Sequence, residues 1–359
     1  MVRLRAVDFG GFVDAAARIG SIDPSHRWAF VAGAPRCGTT AVAKWLRGHP
    51  EVCLAKPKEP HFFAMRDLRG SGDAELREIV SSKFIERFFP NRDDASVLID
   101  GSVSYLYAPE RLEPALRLWP DAKFILCVRN PLQMVPSLHQ RNVVNGDESV
   151  RYFGRAWSLV TERRQGRSIP RSCLDPRLLD YWEAGFLGKH VENFFRVIGR
   201  GRCLVIVFDD LVADPRREYV RALEFLDLPD DGKTIFERHA DSMDCRVAWL
   251  QRLLQRPPRF AMHLVDADDL QNPRFAETAS PWLQKIIDIR SRIIDWNEIP
   301  AQRPVVDPAV VQEMRAMYER DVSLLSELLE RDLTPWLDAD KPIHIAPMEV
   351  PGTEIKLSA

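Results

Sequence analysis

A chain of 359 residues, 45% hydrophobic and 28% charged, can bury a large core as one big domain or two ordinary ones. Its formal net charge of −2 gives no global reason to expect nucleic acid or a membrane surface as partner, and no stretch reaches the roughly 18 apolar residues that span a bilayer. The six cysteines, Cys37, Cys53, Cys127, Cys173, Cys203 and Cys245, are scattered without a Cys-x-x-Cys pair or histidines at ligand spacing; they read as reduced thiols, and no metal is expected.

Met1 to Arg27 alternates charged and small residues and lacks the apolar core of about 7–15 residues of a secretory signal. Residues 1–27 are therefore expected to be an N-terminal extension, and the location cytoplasmic. The run Trp28-Ala-Phe-Val-Ala-Gly33 predicts a strand that stops at a glycine-containing loop and is followed by a helix over Ala41–Gly48. Val97–Asp100, Lys123–Val128 and Cys203–Phe208 read as further buried strands. Between them, the amphipathic segments Ala74–Phe89, Pro109–Trp119, Leu132–Asn142, Leu187–Ile198 and Asp214–Leu226 suit crossover helices. The alternation predicts an α/β fold of three layers, a central parallel sheet flanked by helices. From about His239 onward no strand is expected, and Pro281–Ile294 and Pro308–Leu333 predict a helical C-terminal part. Residues 28–338 form one expected domain, and the proline-interrupted residues 339–359 a C-terminal tail.

The loop Gly33-Ala-Pro-Arg-Cys-Gly38-Thr39-Thr40 follows a predicted strand and opens a predicted helix, the context of a phosphate-binding loop. Glycines let the backbone turn so that N–H groups and the helix N-terminus converge on an anion. Compared with Gly-x-x-x-x-Gly-Lys-[Ser/Thr], the glycine spacing is kept but Thr39 stands at the lysine position. The cation lies inside the loop, at Arg36, which points to a phosphate-like group other than a nucleoside triphosphate.

With Lys56-Pro-Lys-Glu59-Pro-His61-Phe-Phe63 about twenty residues on, this loop resembles the sulfotransferases that use 3′-phosphoadenosine 5′-phosphosulfate (PAPS), closest to the heparan-type carbohydrate enzymes and their bacterial relatives. The resemblance extends over about residues 28–338 and implies a P-loop-like fold. It places Arg36, Cys37, Gly38, Thr39 and Thr40 around the 5′-phosphosulfate, with Arg36 where the heparan-type enzymes carry a catalytic lysine. Arginine keeps that charge but does not readily release a proton. A strand running into Arg129, with Ser137 eight residues later, resembles the family's 3′-phosphate site. Arg246, in His239-Ala-Asp-Ser-Met-Asp-Cys-Arg246, lies about where a late loop completes it. Gly101 stands where heparan-type enzymes carry a lysine near the acceptor, a departure that counts against a heparan acceptor.

The resemblance implies transfer of a sulfuryl group from PAPS to an acceptor hydroxyl. Glu59 aligns with the family's general base; His61 is the alternative base or a residue that positions the acceptor. Arg36 and the loop amides would stabilise the leaving phosphate. A saccharide is the first expected acceptor and a small-molecule alcohol, phenol or lipid the second. The basic residues Arg141, Arg163, Arg164, Arg167 and Arg171 are candidates to line an acceptor groove. Two rival readings are a P-loop kinase or NTPase, opposed by the lysine missing after Gly38 and by the lack of an obvious acidic strand end for magnesium, and a scaffold that has lost turnover.

Overall fold

The computed structural model describes residue 22 and residues 24–173, 175–237, 243–255, 281–300 and 306–338. Most of the expected N-terminal extension, all of the 339–359 tail and residues 239–242 of the late loop lie outside the described residues.

Five strands, β1 (Arg27–Gly33), β2 (Val52–Leu54), β3 (Val97–Asp100), β4 (Lys123–Val128) and β5 (Cys203–Val207), form one sheet in the order β2-β3-β1-β4-β5. Every pairing is parallel. Trp28 to Gly33 and all four residues of β3 are buried, as expected of strands covered on both faces, and this is why each reads as an unbroken apolar run. After β1 the chain builds β2 and β3 on one side, then crosses to β4 on the other. The crevice at the C-terminal end of β1 is therefore a topological switch point, the usual ligand position in open α/β sheets.

Helices flank the sheet. Helix α1 (Thr39–Arg47) leaves the loop after β1, and α2 (Asp73–Val80) continues through a π-helical turn, Ser81–Ile85, into Glu86–Phe88. Helix α3 (Pro131–Asn145) starts where sequence rules place it: Asn130 caps it by accepting from the Leu132 N–H at 2.9 Å, Pro131 fills the first helical position, and Gly146 at φ 81° ends it. Helix α4 (Leu187–Ile198) sets Phe194 against Phe124 of β4, ring centres 5.6 Å apart. After β5 come α5 (Phe208–Ala213) and α6 (Pro215–Phe225). Then α7 (Ala248–Gln255), α8 (Pro281–Asn297) and α9 (Pro308–Leu328) follow. Asp321 of α9 accepts from the Gly188 and Lys189 N–H groups, both at 2.8 Å, and so ties α9 to the first turn of α4.

The α/β reading, the parallel sheet and three strand cores agree with the structure, but four expectations change. Val52–Leu54 adds an edge strand. The expected strand Cys203–Phe208 stops at Val207, because Phe208 already opens α5. The C-terminal part is not wholly helical: β6 (Met243–Cys245) and β7 (Glu298–Pro300) pair antiparallel. Finally, an acidic strand end does exist, since β3 ends at Asp100 beside β1. Its carboxylate is taken up inside the fold, accepting from the Ser102 N–H at 2.9 Å, the Ser102 hydroxyl at 2.5 Å and the Tyr105 hydroxyl at 2.7 Å.

Candidate active site

The phosphate loop owes its shape to residues in left-handed backbone. Gly38, at φ 94°, is the residue before α1, and a Cβ there would lie 2.6 Å from Leu211 Cδ2. Arg36 adopts φ 64° with a full side chain, a conformation that costs about 1 kcal/mol and persists only where the surroundings fix it. Here they do: the Arg36 carbonyl accepts from Arg129 at 3.2 Å, and its Nε donates to Ser137 Oγ at 2.9 Å. Residues 36, 129 and 137, far apart in the chain, thus meet at the C-terminal edge of β1 and β4.

Arg129 is 6% exposed, and its guanidinium lies 4.2 Å from the centre of the Phe208 ring. Register explains this contact, since Val128 of β4 pairs with Val207 of β5 and the next residues are Arg129 and Phe208. Gln133 Oε1 accepts from Arg129 Nε and Nη2, each at 3.3 Å, and no carboxylate among the described residues pairs with the guanidinium. Burial lowers the Arg129 pKa. Burial, then the charges of Arg141 and Arg129, bring Arg36 down to about 10, so it stays cationic at neutral pH. Arg141, exposed one turn beyond Ser137 on α3, adds a third positive charge. Burial pushes the Cys37 thiol up to about 12, so it stays protonated. Thr39 and Thr40 open α1, where free N–H groups and the helix dipole favour an anion.

Near this cationic cluster stands Glu59, whose charge acts on Arg36. Lys58 Nζ contacts its Oε1, and His61 Nε2 lies 3.4 Å from its Oε2. Burial raises the carboxyl pKa, but the His61 hydrogen bond and the Lys58 ammonium outweigh it and bring the group down to about 2. His61 Nδ1 meets Ser104 Oγ at 2.8 Å, while its backbone N–H donates to Ser102 Oγ at 2.8 Å. Ser102 is in turn held by Asp100. Phe62 and Phe63, fully buried, anchor the segment just after His61, with Phe63 against Phe30 of β1 at 6.5 Å between centres.

Of the residues singled out in the sequence, Arg36, Cys37, Gly38, Thr39, Thr40, Arg129 and Ser137 lie together, and Glu59 with His61 forms a second cluster, near enough for the Glu59 charge to act on Arg36. Arg246 follows β6, which packs on α3, the helix of Ser137; its Nε donates to the Trp296 carbonyl at 2.9 Å and its N–H to the Asn297 carbonyl at 2.8 Å, holding the β6–β7 pair to α8. Arg163 is a buried partner of Glu148, 2.8 Å away, and Arg164 pairs with Asp180 at 2.7 Å, so both serve the fold. Ser104, Phe208 and Gln133 escape sequence reasoning. Phe208 could have been found from parallel register beside Arg129, and Gln133 from its position in the first turn of the helix that follows.

Residues 29–232 match the family described as the Sulfotransferase family. Among curated proteins, the chain is 26% identical over 205 residues to heparan sulfate glucosamine 3-O-sulfotransferase 3A1 of Mus musculus, covering 56% of this chain and 45% of that protein. It is 22% identical over 238 residues to protein-tyrosine sulfotransferase A of Caenorhabditis elegans, covering 62% of this chain and 56% of the relative. The chain spans about half the length of the curated relatives it matches. In fold it is similar to a sulfotransferase from Alicyclobacillus acidocaldarius, with a TM-score of 0.54, 21% identity and coverage of 86% of this chain and 97% of the other. The family match takes in more than half of the chain, including the phosphate loop, Glu59, Arg129 and Ser137, and the protein therefore belongs to the sulfotransferase family.

Proposed function

We propose that the protein transfers a sulfuryl group from PAPS to an acceptor hydroxyl. The observation that carries this reading is the junction of Arg36, Arg129 and Ser137 around one anion-ready loop, with the Glu59 carboxylate near enough for its charge to act on Arg36. Arg36, the loop N–H groups and the N-terminus of α1 would hold the 5′-phosphosulfate, and Arg129 with the Ser137 hydroxyl the 3′-phosphate. In the reaction an acceptor oxygen forms a bond to sulfur while the sulfur–oxygen bond to the phosphate breaks. Glu59 accepts the acceptor's proton, and 3′-phosphoadenosine 5′-phosphate departs with the bonding electrons on its phosphate oxygen. Arg36 and the loop amides offset that growing charge, and their fixed positions spare the reorganisation that water would require. His61, held through Ser104, orients Glu59 and the incoming hydroxyl.

A saccharide hydroxyl is the first acceptor proposed, in keeping with the matched heparan sulfate enzymes. The match to a protein-tyrosine sulfotransferase favours a phenolic hydroxyl as the second. Thermal-shift measurements with 3′-phosphoadenosine 5′-phosphate, ATP and GTP test the donor site, because a ligand that binds only the folded state raises its stability. The bisphosphate alone should stabilise; stabilisation by ATP alone would refute the reading. Mass-spectrometric transfer from PAPS to a panel of saccharides, alcohols and phenols then identifies the acceptor.

A further inference from the structure

Gly101 has no conformational need to be glycine: its φ is not among the positive values of this fold, so any residue could adopt its backbone. Space is what it lacks. A Cβ at 101 would lie 3.0 Å from Lys58 Cγ, 3.1 Å from the Lys58 carbonyl oxygen and 3.3 Å from Lys58 Cε, and the Gly101 N–H donates to that same carbonyl at 3.2 Å. The aliphatic stem of Lys58 thus lies along the bare glycine, leaving the side chain 18% exposed, and its ammonium reaches Glu59 Oε1. Glu59 Oε2 is left to His61. Each carboxylate oxygen has its own cationic or hydrogen-bonding neighbour, which fixes the plane of the group.

From this geometry we propose that Lys58 is a positioning residue for Glu59, aiming the carboxylate, and that position 101 lacks a side chain in order to seat Lys58. The proposal rests on the reading of Glu59 as the base. The charged and titratable groups around Glu59 are Lys58 and His61 from its own loop and Arg36 from the phosphate loop; Asp100 lies behind His61 on the β3 side. Lys58 is the one that touches Glu59 and depends on the glycine. Replacing it by an uncharged residue removes the largest nearby source of positive charge on Oε1, while the burial that raises the carboxyl pKa stays.

The test is a carboxyl titration of the full chain labelled with side-chain carbon-13 glutamate, with the Glu59 signal assigned by its loss in Glu59→Gln. In the unaltered protein that signal should stay still between pH 7 and pH 4. In Lys58→Met it should begin to titrate inside this range, a rise of about two pH units or more. Gly101→Ala, which keeps Lys58 but displaces it, should move the signal the same way, and Lys58→Arg should hold it low. Turnover with PAPS should fall about tenfold or more in Lys58→Met and Gly101→Ala, with stabilisation by 3′-phosphoadenosine 5′-phosphate retained as proof of fold. A Glu59 signal as still in both variants as in the unaltered chain overturns the proposal, as does a shifted signal with unchanged turnover. The titration needs neither donor nor acceptor, so a chain that transfers no sulfuryl group would refute the proposed function while leaving the Lys58–Glu59 coupling measured.

Discussion

At the scale of single residues, the site separates donor binding from proton transfer. Arg129 and Arg36 stand among loop N–H groups, whereas Glu59 lies on a separate loop, near enough for its charge to act on Arg36. Glu59→Gln keeps the size of the side chain and its hydrogen-bond reach but cannot accept a proton. Turnover should fall by about 10²–10⁴, the usual worth of a positioned base, with bisphosphate affinity nearly unchanged. A fully active variant would remove Glu59 from its role. Arg129→Ala should do the reverse, weakening bisphosphate binding about 10–100-fold by calorimetry, since a charge-assisted contact is lost from a buried place. Binding at unaltered strength would separate Arg129 from the donor. The resemblance singled out both residues, but the Arg36–Ser137 bond could not be read from spacing, because 101 residues separate partners that only the sheet order brings together.

At the scale of elements, the loop and helix after β1 are fitted to α5. Gly38 has left-handed backbone and no room for a methyl group, with Leu211 Cδ2 at 2.6 Å and Phe208 Cδ2 at 3.2 Å from where its Cβ would stand. Gly38→Ala should cost about 1–3 kcal/mol in urea unfolding and push Phe208 away from the Arg129 guanidinium, weakening bisphosphate binding on the order of tenfold. Unchanged stability and affinity together would show that the loop relaxes freely. Elements of this kind differ in how plainly they read. β3, β4 and α4 fall where their patterns put them, because a strand buried on both faces is an unbroken apolar run and α4 carries one apolar stripe. β2 has only three residues, Val52-Cys53-Leu54, too few for any period to show. The β6–β7 pair joins Met243-Asp-Cys to Glu298-Ile-Pro across more than fifty residues, with no alternation and no tight turn to announce it. Sequence alone reads position 101 as bare; only the fold shows the Lys58 stem beside it, with an ammonium beyond the glycine.

At the scale of the whole molecule, the buried polar network beneath the site couples pH to stability. Burial pushes the Asp100 carboxyl up to about 6, against the hydrogen bonds from Ser102 and Tyr105 that pull the other way. Between about pH 4 and pH 6 the folded chain therefore holds a proton there that the unfolded chain has released, and Asp100 contributes stability at low pH that is lost as pH rises through this window. Glu59 has the opposite sign, since its carboxyl is lowered to about 2; its contribution is lost only as pH falls below the ordinary carboxylate range, so the two windows hardly overlap. The histidines His139 and His190, lowered chiefly by burial, also titrate in acid and make the raw profile of the protein a composite. The difference between two chains isolates Asp100. Asp100→Asn keeps an oxygen for the Ser102 N–H and hydroxyl and an amide for the Tyr105 oxygen, but it has no charge to bury. Relative to the unaltered protein, the variant should gain about 2–3 kcal/mol between pH 4 and pH 7, at about 1.4 kcal/mol for each unit of raised pKa. Urea unfolding of both chains at the two pH values measures that difference, and curves that stay parallel would mean that Asp100 ionises freely in the folded state.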